Sequence, residues 1–385
     1  MLRHPRVSKS YDIIIAGAGI VGAACAAECA RGGMKTLVLD RGPVAGGTTA
    51  AGMGHIVVMD DSEAQFALTS YSRALWRRCL PELPADVEYD PCGTLWLAAD
   101  EQEMAEVRRK QKYFTARGVR VEVLDAAGVA KAEPNLRAGM AGGLRVPDDG
   151  ALYPPCAARF LLEQAKRHGA EVRLGAAVRA LRPDGGVALQ DGSSIAAGWT
   201  VNATGPWSPE LTPGLPVRKR KGHLVITDRH PGFVHHQIVE LGYLKNAHSV
   251  SRDSVAFNIQ PRKTGQMLLG SSRQYDAEDA AVDFAILNRM LSRSLEYLPA
   301  LGGLSSIRVW TGHRAATPDS LPLIGPSIES DRIWLATGHE GLGITTSVGT
   351  GRLLADLLLK RPCEIPPEPY APSRFASGAG ATHHG

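Results

Sequence analysis

The chain has 385 residues, of which 44% are hydrophobic and 21% are charged, and its formal net charge is +4. This length is enough for two domains with a well-buried core, and the composition is typical of a soluble globular protein. The small net charge gives no support for a nucleic-acid partner, and no stretch offers the roughly 20 apolar residues of a transmembrane helix.

The cysteines and the first residues of the chain indicate the cellular compartment. None of the six cysteines falls in a CxxC motif or beside paired histidines, so we expect reduced thiols and no metal site. Cys25 and Cys29 share one face of a predicted helix, where they are expected to pack as small apolar residues. The segment MLRHPRVSKSYD leads into a strand without the apolar core of a signal peptide. We therefore predict a cytoplasmic protein.

The first predicted elements, within 11–40, are a strand, a helix and a second strand. The apolar run at 13–16 is typical of a buried parallel strand, and the small residues at 23–30 predict a helix. Between them, the pattern G-x-G-x-x-G is filled by Gly17, Gly19 and Gly22. These glycines allow a tight turn, close approach of the backbone to a pyrophosphate, and close packing of helix on strand. The helix N terminus adds unpaired N–H groups. The segment is therefore predicted to bind a dinucleotide.

Asp40 ends the second strand, 18 residues after Gly22. A carboxylate at this position can accept hydrogen bonds from a ribose diol, and it disfavours a 2′-phosphate. Arg41 follows directly, so this segment alone leaves FAD and NAD both open. The loop after it is rich in glycine and alanine, which allows its backbone to approach a flat or bulky group.

Two kinds of segment alternate in the rest of the chain. Helices are predicted at 62–80, 101–117, 156–168, 283–298 and 344–359. Strands are predicted at 94–97, 119–124, 171–174, 176–181, 199–202, 223–227, 238–241, 255–259, 267–269 and 333–336, and a segment dense in turn residues begins at 307. Strand–helix units thus lie at 11–60, 151–210 and 330–360, and strand-rich segments at about 90–145 and 217–305. This alternation indicates a discontinuous two-domain enzyme with a ligand between its domains.

A basic run, Arg218-Lys219-Arg220-Lys221, directly precedes one of the predicted strands. Such a run is compatible with nucleic-acid binding, but its position at the start of a strand favours a solvated sheet edge or a contact with a partner protein.

Four sequence blocks occur in a fixed order along the chain. They are GAGIVG at 17–22 with its Asp40, NATGPW at 202–207, TGHRAATPDSLPLIG at 311–325 and TGHEGLGITTSVGTGRLLADLL at 337–358. Together they resemble the FAD-dependent D-amino acid/glycine/sarcosine oxidase family, and the resemblance covers nearly the whole chain. The last two blocks are more specific than the first, because a G-x-G-x-x-G pattern by itself is common.

Three further blocks resemble one branch of that family. They are AGMGHIVVMDDS at 51–62, KGHLVITD at 221–228 and GQMLLGSSRQYD at 265–276. The branch contains the catalytic subunits of multi-subunit dehydrogenases for D-hydroxyproline, proline and opines, and of hydrogen cyanide synthase. The first block is most similar to the hydroxyproline dehydrogenases.

The resemblance implies an α/β fold with a discontinuous, Rossmann-like FAD-binding domain and a substrate-binding domain of mixed β-sheet plus helices. The predicted boundaries are 1–90, 146–215 and 306–370 for the first domain, 91–145 and 216–305 for the second, and 371–385 for a flexible tail. We expect FAD to be bound non-covalently, because the segment 338–347 contains no cysteine. A second flavin at a subunit interface is a further option within this family.

The family implies that FAD is held mostly by backbone and small side chains. The predicted cofactor-binding residues are Gly17, Gly19, Ile20, Gly22, Asp40, Arg41, Gly47, Thr48, Ala51, Gly52, Met53, Val178, Ala203, Thr204, Gly205, Gly338, Gly341, Leu342, Gly343, Ile344 and Thr345. The helix that starts near Gly343 would point its N terminus at the N1–C2=O edge of the flavin, where the reduced ring carries negative charge.

Three side chains, those of Arg314, His55 and His339, are predicted to be catalytic and to bind the substrate. Arg314 falls where the family places an arginine on the substrate carboxylate, which a planar guanidinium can bind bidentately. His55 is either a group near the substrate amine or a hydrogen-bonded loop residue. His339, with Glu340, either polarises the flavin edge or braces its loop. His313 stands where the family commonly has an apolar residue.

The resemblance implies that a neutral amine loses its α-hydrogen as a hydride to flavin N5 and becomes an imine, which needs orientation more than a strong base. The branch favours D-hydroxyproline or a related cyclic imino acid. It also implies partner subunits that carry the electrons onward, because this chain has no cysteine cluster for an iron–sulfur centre. Such partners would hold the cytoplasmic chain peripherally at the inner membrane. The alternatives are a stand-alone oxidase that converts O₂ to H₂O₂ and a non-catalytic flavin-binding assembly subunit.

Overall fold

The computed structural model describes residues 10–242, 253–275 and 277–378. The helices are α1 (Ile20–Arg31), α2 (Glu63–Cys79), α3 (Glu101–Thr115), α4 (Ala126–Ala132), α5 (Pro154–Arg167), α6 (Ser208–Leu211), α7 (Phe284–Tyr297) and α8 (Gly343–Leu358). The strands are β1 (Tyr11–Ala16), β2 (Thr36–Asp40), β3 (His55–Ile56), β4 (Thr94–Ala98), β5 (Glu122–Asp125), β6 (Gly142–Val146), β7 (Gly150–Ala151), β8 (Glu171–Leu174), β9 (Val178–Leu181), β10 (Val187–Leu189), β11 (Ser194–Ile195), β12 (Ala197–Asn202), β13 (Arg218–Thr227), β14 (Gln237–Glu240), β15 (Ser254–Pro261), β16 (Met267–Tyr275), β17 (Ser306–Ala316), β18 (Leu323–Pro326) and β19 (Ile333–Thr337).

A six-stranded sheet with the order β18–β19–β12–β1–β2–β8 forms the first layer of the fold. All neighbours in it are parallel except β18, which is antiparallel to β19 at one edge. Ile13 and Ile15 of β1 pack into a core with α1, α5 and α8, whereas Ile14 packs against the three-stranded sheet β11–β10–β9. Because both faces are covered, β1 is apolar along nearly its whole length, as parallel strands usually are.

Small residues bring α1 and α8 unusually close together. A Cβ added to Gly351 of α8 would lie 2.5 Å from the carbonyl oxygen of Ala24 in α1. The two helix axes can approach this far only because no side chain separates them. This contact fixes the N terminus of α8 relative to β1 and α1.

An eight-stranded sheet with the order β17–β13–β16–β15–β14–β4–β6–β5 forms the second main layer. Its neighbours are antiparallel except β14 and β4, which run parallel. Helix α7 covers part of one face, where Leu287 and Met290 pack with Phe257 and Ile259 of β15. On the other face, Trp96 of β4 and Leu144 of β6 pack with Val107 and Phe114 of α3.

Strand β17 differs from the sequence-based expectation of a turn-rich segment beginning at 307. It is an 11-residue strand that pairs with β13 along its length. The pairing with β13 satisfies the backbone groups on one side of this edge strand, so the glycine at 312 is tolerated inside it. The alternating β-branched residues Ile307, Val309 and Thr311 are the signal that the turn residues concealed.

The basic run at 218–221 also differs from the expectation of a solvated edge. It lies in β13, which has β17 on one side and β16 on the other. Arg220 and Lys221 are only 5% and 3% exposed. Since alternate side chains of a strand point to opposite faces, Lys221 pairs with Asp279, at 2.8 Å, on one face, whereas Arg220 faces a cavity on the other.

The two layers broadly follow the alternation seen in the sequence, and the domain boundaries themselves stay predictions. Strand β17 starts at the boundary predicted at 306 but hydrogen-bonds into the eight-stranded sheet. Of the tail predicted to be flexible, residues Pro372–Gly378 form a short 3₁₀ segment that Arg374 ties to Asp319, at 2.7 Å. Residues 379–385 of that tail lie outside the described residues. Within the described ranges, no helix combines the length and hydropathy of a membrane crossing.

Candidate active site

A cavity of about 700 Å³ lies between the two main sheets. On one side it is bounded by the carboxyl ends of β1, β2, β12 and β19, through Ala16, Asp40, Ala203 and Thr337. On the other side it is bounded by one face of β17, β13, β16, β15, β14 and β4. The carboxyl edge of a parallel sheet is the usual place for a nucleotide, so the cavity has a nucleotide-type end and an end walled by the second sheet.

The glycines after β1 make room that no other residue would leave. Gly17 has a φ of +115°, and a Cβ added to it would lie 2.5 Å from the carbonyl oxygen of Ala203. A Cβ on Gly22 would overlap the carbonyl oxygen of Gly17, so this residue serves helix packing and does not itself line the cavity. Gly19 is the N-cap of α1 and offers no side chain to that helix end.

Asp40 is oriented by backbone hydrogen bonds at the end of β2. Its two carboxylate oxygens accept from the N–H of Ala18, at 2.6 Å, and of Gly42, at 2.8 Å, while the side chain faces the cavity. Beside it, the guanidinium of Arg41 lies 5.0 Å from the ring centre of Trp207. Since each carboxylate oxygen can accept a second bond, this corner fits a ribose diol.

The glycine loop predicted to approach the cofactor is tied to both main layers. The hydroxyl of Thr48 donates a 2.6 Å hydrogen bond to the carbonyl oxygen of His313 on β17. A Cβ on Gly312 would overlap that of Ala51, and a Cβ on Gly52 would lie 2.6 Å from Ile344. The loop backbone is therefore clamped between β17 and the start of α8.

The N terminus of α8 also points to the cavity. Gly338, at φ +80°, makes the turn after β19, and α8 starts at Gly343 without a side-chain cap. An uncapped helix N terminus is suited to negative charge on a ligand. Thr345 does not line the cavity, since its hydroxyl donates to the carbonyl oxygen of His55, at 2.7 Å, and holds β3 against α8.

The structure therefore brings nearly all predicted cofactor-binding residues to one cavity. Those that line it are Gly17, Gly19, Ile20, Asp40, Arg41, Gly47, Thr48, Ala51, Gly52, Met53, Val178, Ala203, Thr204, Gly205, Gly338, Gly341, Leu342, Gly343 and Ile344. Gly22 and Thr345 do not line the cavity, but they contact Gly17 and His55, which do. Glycine-lined backbone, an oriented carboxylate and two helix N termini whose own N-cap residues supply no side-chain cap fit a dinucleotide, and their roles toward it stay predictions.

Arg314 lies on β17 at the other end of the cavity. Its Nη1 donates a 2.9 Å hydrogen bond to the carbonyl oxygen of Ser272. The guanidinium crosses Gly222 of β13, where a Cβ would lie 2.5 Å from Nη1. Burial and the charge of Arg220 lower the pKa of Arg314 to about 9. The side chain is therefore fixed in position, and a bound anion would stabilise its buried positive charge.

The two candidate histidines are neutral near pH 7. Burial lowers the pKa of His55 to about 4, and the nearby side chain of Gln260 opposes this effect only in part. Burial lowers the pKa of His339 to about 3, and its Nε2 lies 2.9 Å from the hydroxyl of Thr350 in α8. Both line the cavity. Neither can neutralise a carboxylate, and the bond to Thr350 favours a bracing role for His339.

His313 points away from Arg314, as neighbouring residues of a strand do. Its Nε2 lies 3.0 Å from the carbonyl oxygen of Ala277. Ala277 opens an acidic segment that also supplies Asp279 to Lys221. His313 therefore anchors this acidic segment to the face of β17 opposite Arg314.

Several cavity residues were missed by the sequence analysis. Arg220 and Arg273 line the same end as Arg314, and Glu340 forms an ion pair with Arg220. The polar side chains Trp96, Gln237 and Asn258 complete this wall. The alternation of side chains along β13 would have predicted that Arg220 faces the cavity, but only if the strand register were known.

The chain is similar to a known enzyme family and to several known proteins. The family model described as FAD dependent oxidoreductase, DAO, matches residues 12–357. Glycine oxidase of Pseudomonas aeruginosa is 28% identical and covers 94% of this chain and 99% of its own. Hydrogen cyanide synthase subunit HcnC of the same organism is 26% identical, covering 96% and 97%.

A solved structure shares the fold. The crystal structure of L-proline dehydrogenase from P. horikoshii superimposes with a TM-score of 0.87 at 24% identity, covering 97% of this chain and 99% of the other. At this identity the likeness concerns the fold alone.

Proposed function

The chain belongs to the DAO family of FAD-dependent oxidoreductases, and from this membership we propose that it oxidises a small amino or imino acid at its CH–NH bond. The predicted family, the mixed α/β fold and FAD as cofactor are confirmed. The identity of the substrate, its stereochemistry and the electron acceptor belong to the proposal.

The placement of Arg314 carries the proposal. Its guanidinium faces the cavity from β17, held by the carbonyl oxygen of Ser272 and by the space over Gly222. A planar guanidinium fixes a carboxylate by two parallel hydrogen bonds and so orients the α-carbon of an amino acid. Thr48 and Ala51 of the glycine loop contact the same strand. The carboxylate site and the cofactor loop are therefore neighbours.

The residues that would hold FAD are the glycines after β1 and β19, Asp40 at the ribose and the N termini of α1 and α8. FAD, when bound, supplies the oxidant, which takes up the α-hydrogen of a neutral amine as a hydride. The chain contributes orientation through Arg314 and exclusion of water from the cavity between the sheets. His55, neutral because of burial, is a weak base that can exchange hydrogen bonds with the amine without competing for the carboxylate.

We propose that electrons pass to partner subunits, in a hetero-oligomer. The support is the similarity to HcnC, which is named as a subunit of hydrogen cyanide synthase. A stand-alone oxidase that reduces O₂ is the second candidate, supported by the similarity to glycine oxidase. D-hydroxyproline, a second flavin at an interface and a peripheral place at the inner membrane stay predictions from the sequence resemblance.

The test is anaerobic bleaching of the flavin absorbance in the purified holoenzyme. A panel of D- and L-amino acids with glycine, sarcosine, proline and both hydroxyproline epimers is followed by admission of air. Bleaching by one amino or imino acid with slow recovery in air is the expected result, and it supports transfer to partners. Fast recovery with H₂O₂ formation would favour the oxidase. Bleaching by no member of this panel would overturn the proposed oxidation.

A further inference from the structure

Glu340 lies in the turn between β19 and α8, and its backbone has an unusual conformation. Its φ is +53°, in the left-handed region that residues with a side chain rarely adopt. The N–H of Glu340 donates a 2.8 Å hydrogen bond to the carbonyl oxygen of Ala315, which holds the turn against β17. Such a conformation costs free energy and is concentrated at functional sites. It therefore points to a use for the side chain of Glu340.

The side chain of Glu340 lines the cavity, and its two carboxylate oxygens differ in their surroundings. Oε1 forms an ion pair with Arg220, and the side chain of Glu340 is only 13% exposed. Oε2 is buried and, among the residues that the structure describes, has no hydrogen-bond partner. A buried carboxylate oxygen without a donor is unfavourable, so this atom is stabilised by an N–H or O–H group of a ligand or of water.

Glu340 is also a neighbour of Arg314. The residue that accepts its backbone hydrogen bond, Ala315, directly follows Arg314 on β17. A Cβ added to Gly341 would lie 3.8 Å from Nε of Arg314. Arg220, the ion-pair partner of Glu340, stands directly opposite Arg314 in the register of β13 and β17. A cation for a carboxylate and an acceptor for an N–H group therefore lie side by side in the cavity.

This arrangement matches the two polar groups of an amino acid. The nitrogen and the carboxylate of an amino acid are attached to the same α-carbon, so a ligand whose carboxylate meets Arg314 has its nitrogen close by. As the carboxylate of an ion pair, Glu340 can only accept hydrogen bonds. It suits an amine N–H, and it repels a ligand atom that can only accept, such as an ether oxygen.

We propose that Glu340 binds the substrate nitrogen: Oε2 accepts a hydrogen bond from its N–H while Arg314 binds the carboxylate. This inference rests on the proposed function and adds to it a residue that orients the amine. A contact at the carboxylate alone lets the α-carbon rotate, whereas a second contact at the nitrogen restricts that rotation. Glu340 thus selects ligands that carry a hydrogen on the atom next to the α-carbon.

The first experiment compares two ligands that differ at one atom. Isothermal titration of the holoenzyme measures the affinities for pyrrole-2-carboxylate and furan-2-carboxylate, which share the ring shape and the carboxylate. The pyrrole has an N–H group where the furan has an oxygen, and neither ring has the saturated CH–NH bond that the proposed reaction oxidises. The pyrrole is expected to bind about 10-fold to about 100-fold more tightly, because its N–H meets a charged acceptor. Equal affinities, or tighter binding of the furan, overturn the proposal.

Glu340→Gln identifies the acceptor. Arg220 can only donate hydrogen bonds, so it is expected to take the amide oxygen and to leave the NH₂ group facing the ligand. The preference for the pyrrole should then be lost or reversed. Glu329→Gln is the matched control, because Glu329 is exposed and does not line the cavity. A Glu340→Gln protein that keeps the full preference contradicts the assignment. Should this variant fail to fold, Glu340→Asn takes its place, because asparagine is better tolerated in the left-handed region.

Anaerobic flavin reduction separates this proposal from the proposed function. The rate of bleaching at increasing concentrations of a reducing amine gives its apparent dissociation constant, which Glu340→Gln should raise about 10-fold or more and Glu329→Gln should not change. If neither ring ligand binds, this measurement decides alone. Reduction with equal dissociation constants in all three proteins overturns this proposal and leaves amine oxidation intact. A pyrrole preference that depends on Glu340, without reduction by any amine of the panel, supports the N–H site and overturns the oxidation.

Discussion

Gly222 on β13 leaves the space that the guanidinium of Arg314 on β17 occupies, since a Cβ there would lie 2.5 Å from Nη1. The absence of a side chain at one residue thus sets the position of a charge on the next strand. Gly222→Ala is expected to displace Arg314 and to lower kcat/KM by an amount equivalent to about 1–3 kcal/mol, with FAD still bound. Steady-state kinetics and the flavin spectrum measure the two effects.

Gly303→Ala is the control for that change, because a Cβ at Gly303 meets no atom within 4 Å. It should leave kcat/KM unchanged. If Gly222→Ala also leaves it unchanged, the guanidinium has another way to reach its place, and the space over Gly222 has no functional role.

Arg314→Ala is expected to lower kcat/KM by an amount equivalent to roughly 2–4 kcal/mol, because a substrate carboxylate would lose a charged hydrogen-bond partner. Arg308→Ala, on the same strand but outside the cavity, serves as the control. The measurement is the rate of flavin reduction as a function of substrate concentration. Unchanged kinetics with every amino acid that reduces the unmodified enzyme would contradict the carboxylate assignment.

Asp40→Ala is expected to weaken FAD binding by about 10-fold to about 100-fold. The substitution removes the acceptor for a ribose diol and also releases the N–H groups of Ala18 and Gly42. Recovery of FAD fluorescence on dilution gives the dissociation constant without any catalytic assay. Asp184→Ala, in the exposed hairpin before β10, should retain FAD as the unmodified protein does. Equal retention by both variants would argue against a ribose contact.

His339 makes stability depend on pH on the acid side. Burial lowers its pKa from 6.5 to about 3, so the unfolded chain binds a proton that the folded chain refuses between these values. Stability from this group is present above pH 6.5 and is lost as the pH falls toward 3, with a slope of up to about 1.4 kcal/mol per pH unit. His339→Gln should flatten the fall in melting temperature of the FAD-saturated protein between pH 6.5 and pH 4. An equal fall in both proteins would show that His339 does not titrate in this way.

The cofactor end of the site was predictable from the sequence because its signals are local. The G-x-G-x-x-G pattern, the strand before it and Asp40 after it lie within 30 residues, and each has a physical reason to be there. The family blocks then supplied Arg314. The structure brings these residues together around one cavity. Motifs that can be recognised along the sequence were enough to predict them.

The substrate end was not predictable in the same way because it depends on strand register. Arg220, Arg273 and Asn258 come from three strands with register shifts between them, and a shift of one residue turns a side chain to the other face. For the run containing Arg220, the sequence predicts a solvated sheet edge or a contact with a partner protein. In the sheet, however, its alternate members face a cavity on one side and the segment with Asp279 on the other.

The hydrogen bond from Thr48 to the carbonyl oxygen of His313 has a consequence for how this enzyme can diversify. It joins the glycine-rich loop that lines the cavity to the strand that carries Arg314. Other side chains that line the cavity come from β16, β15, β14 and β4, which make no such bond to the loop through Thr48. If Arg314 binds the substrate carboxylate as proposed, substitutions at Arg273, Asn258 or Gln237 are expected to change which substrates are accepted while the loop and β17 stay joined. Recognition and chemistry can thus change independently in this protein.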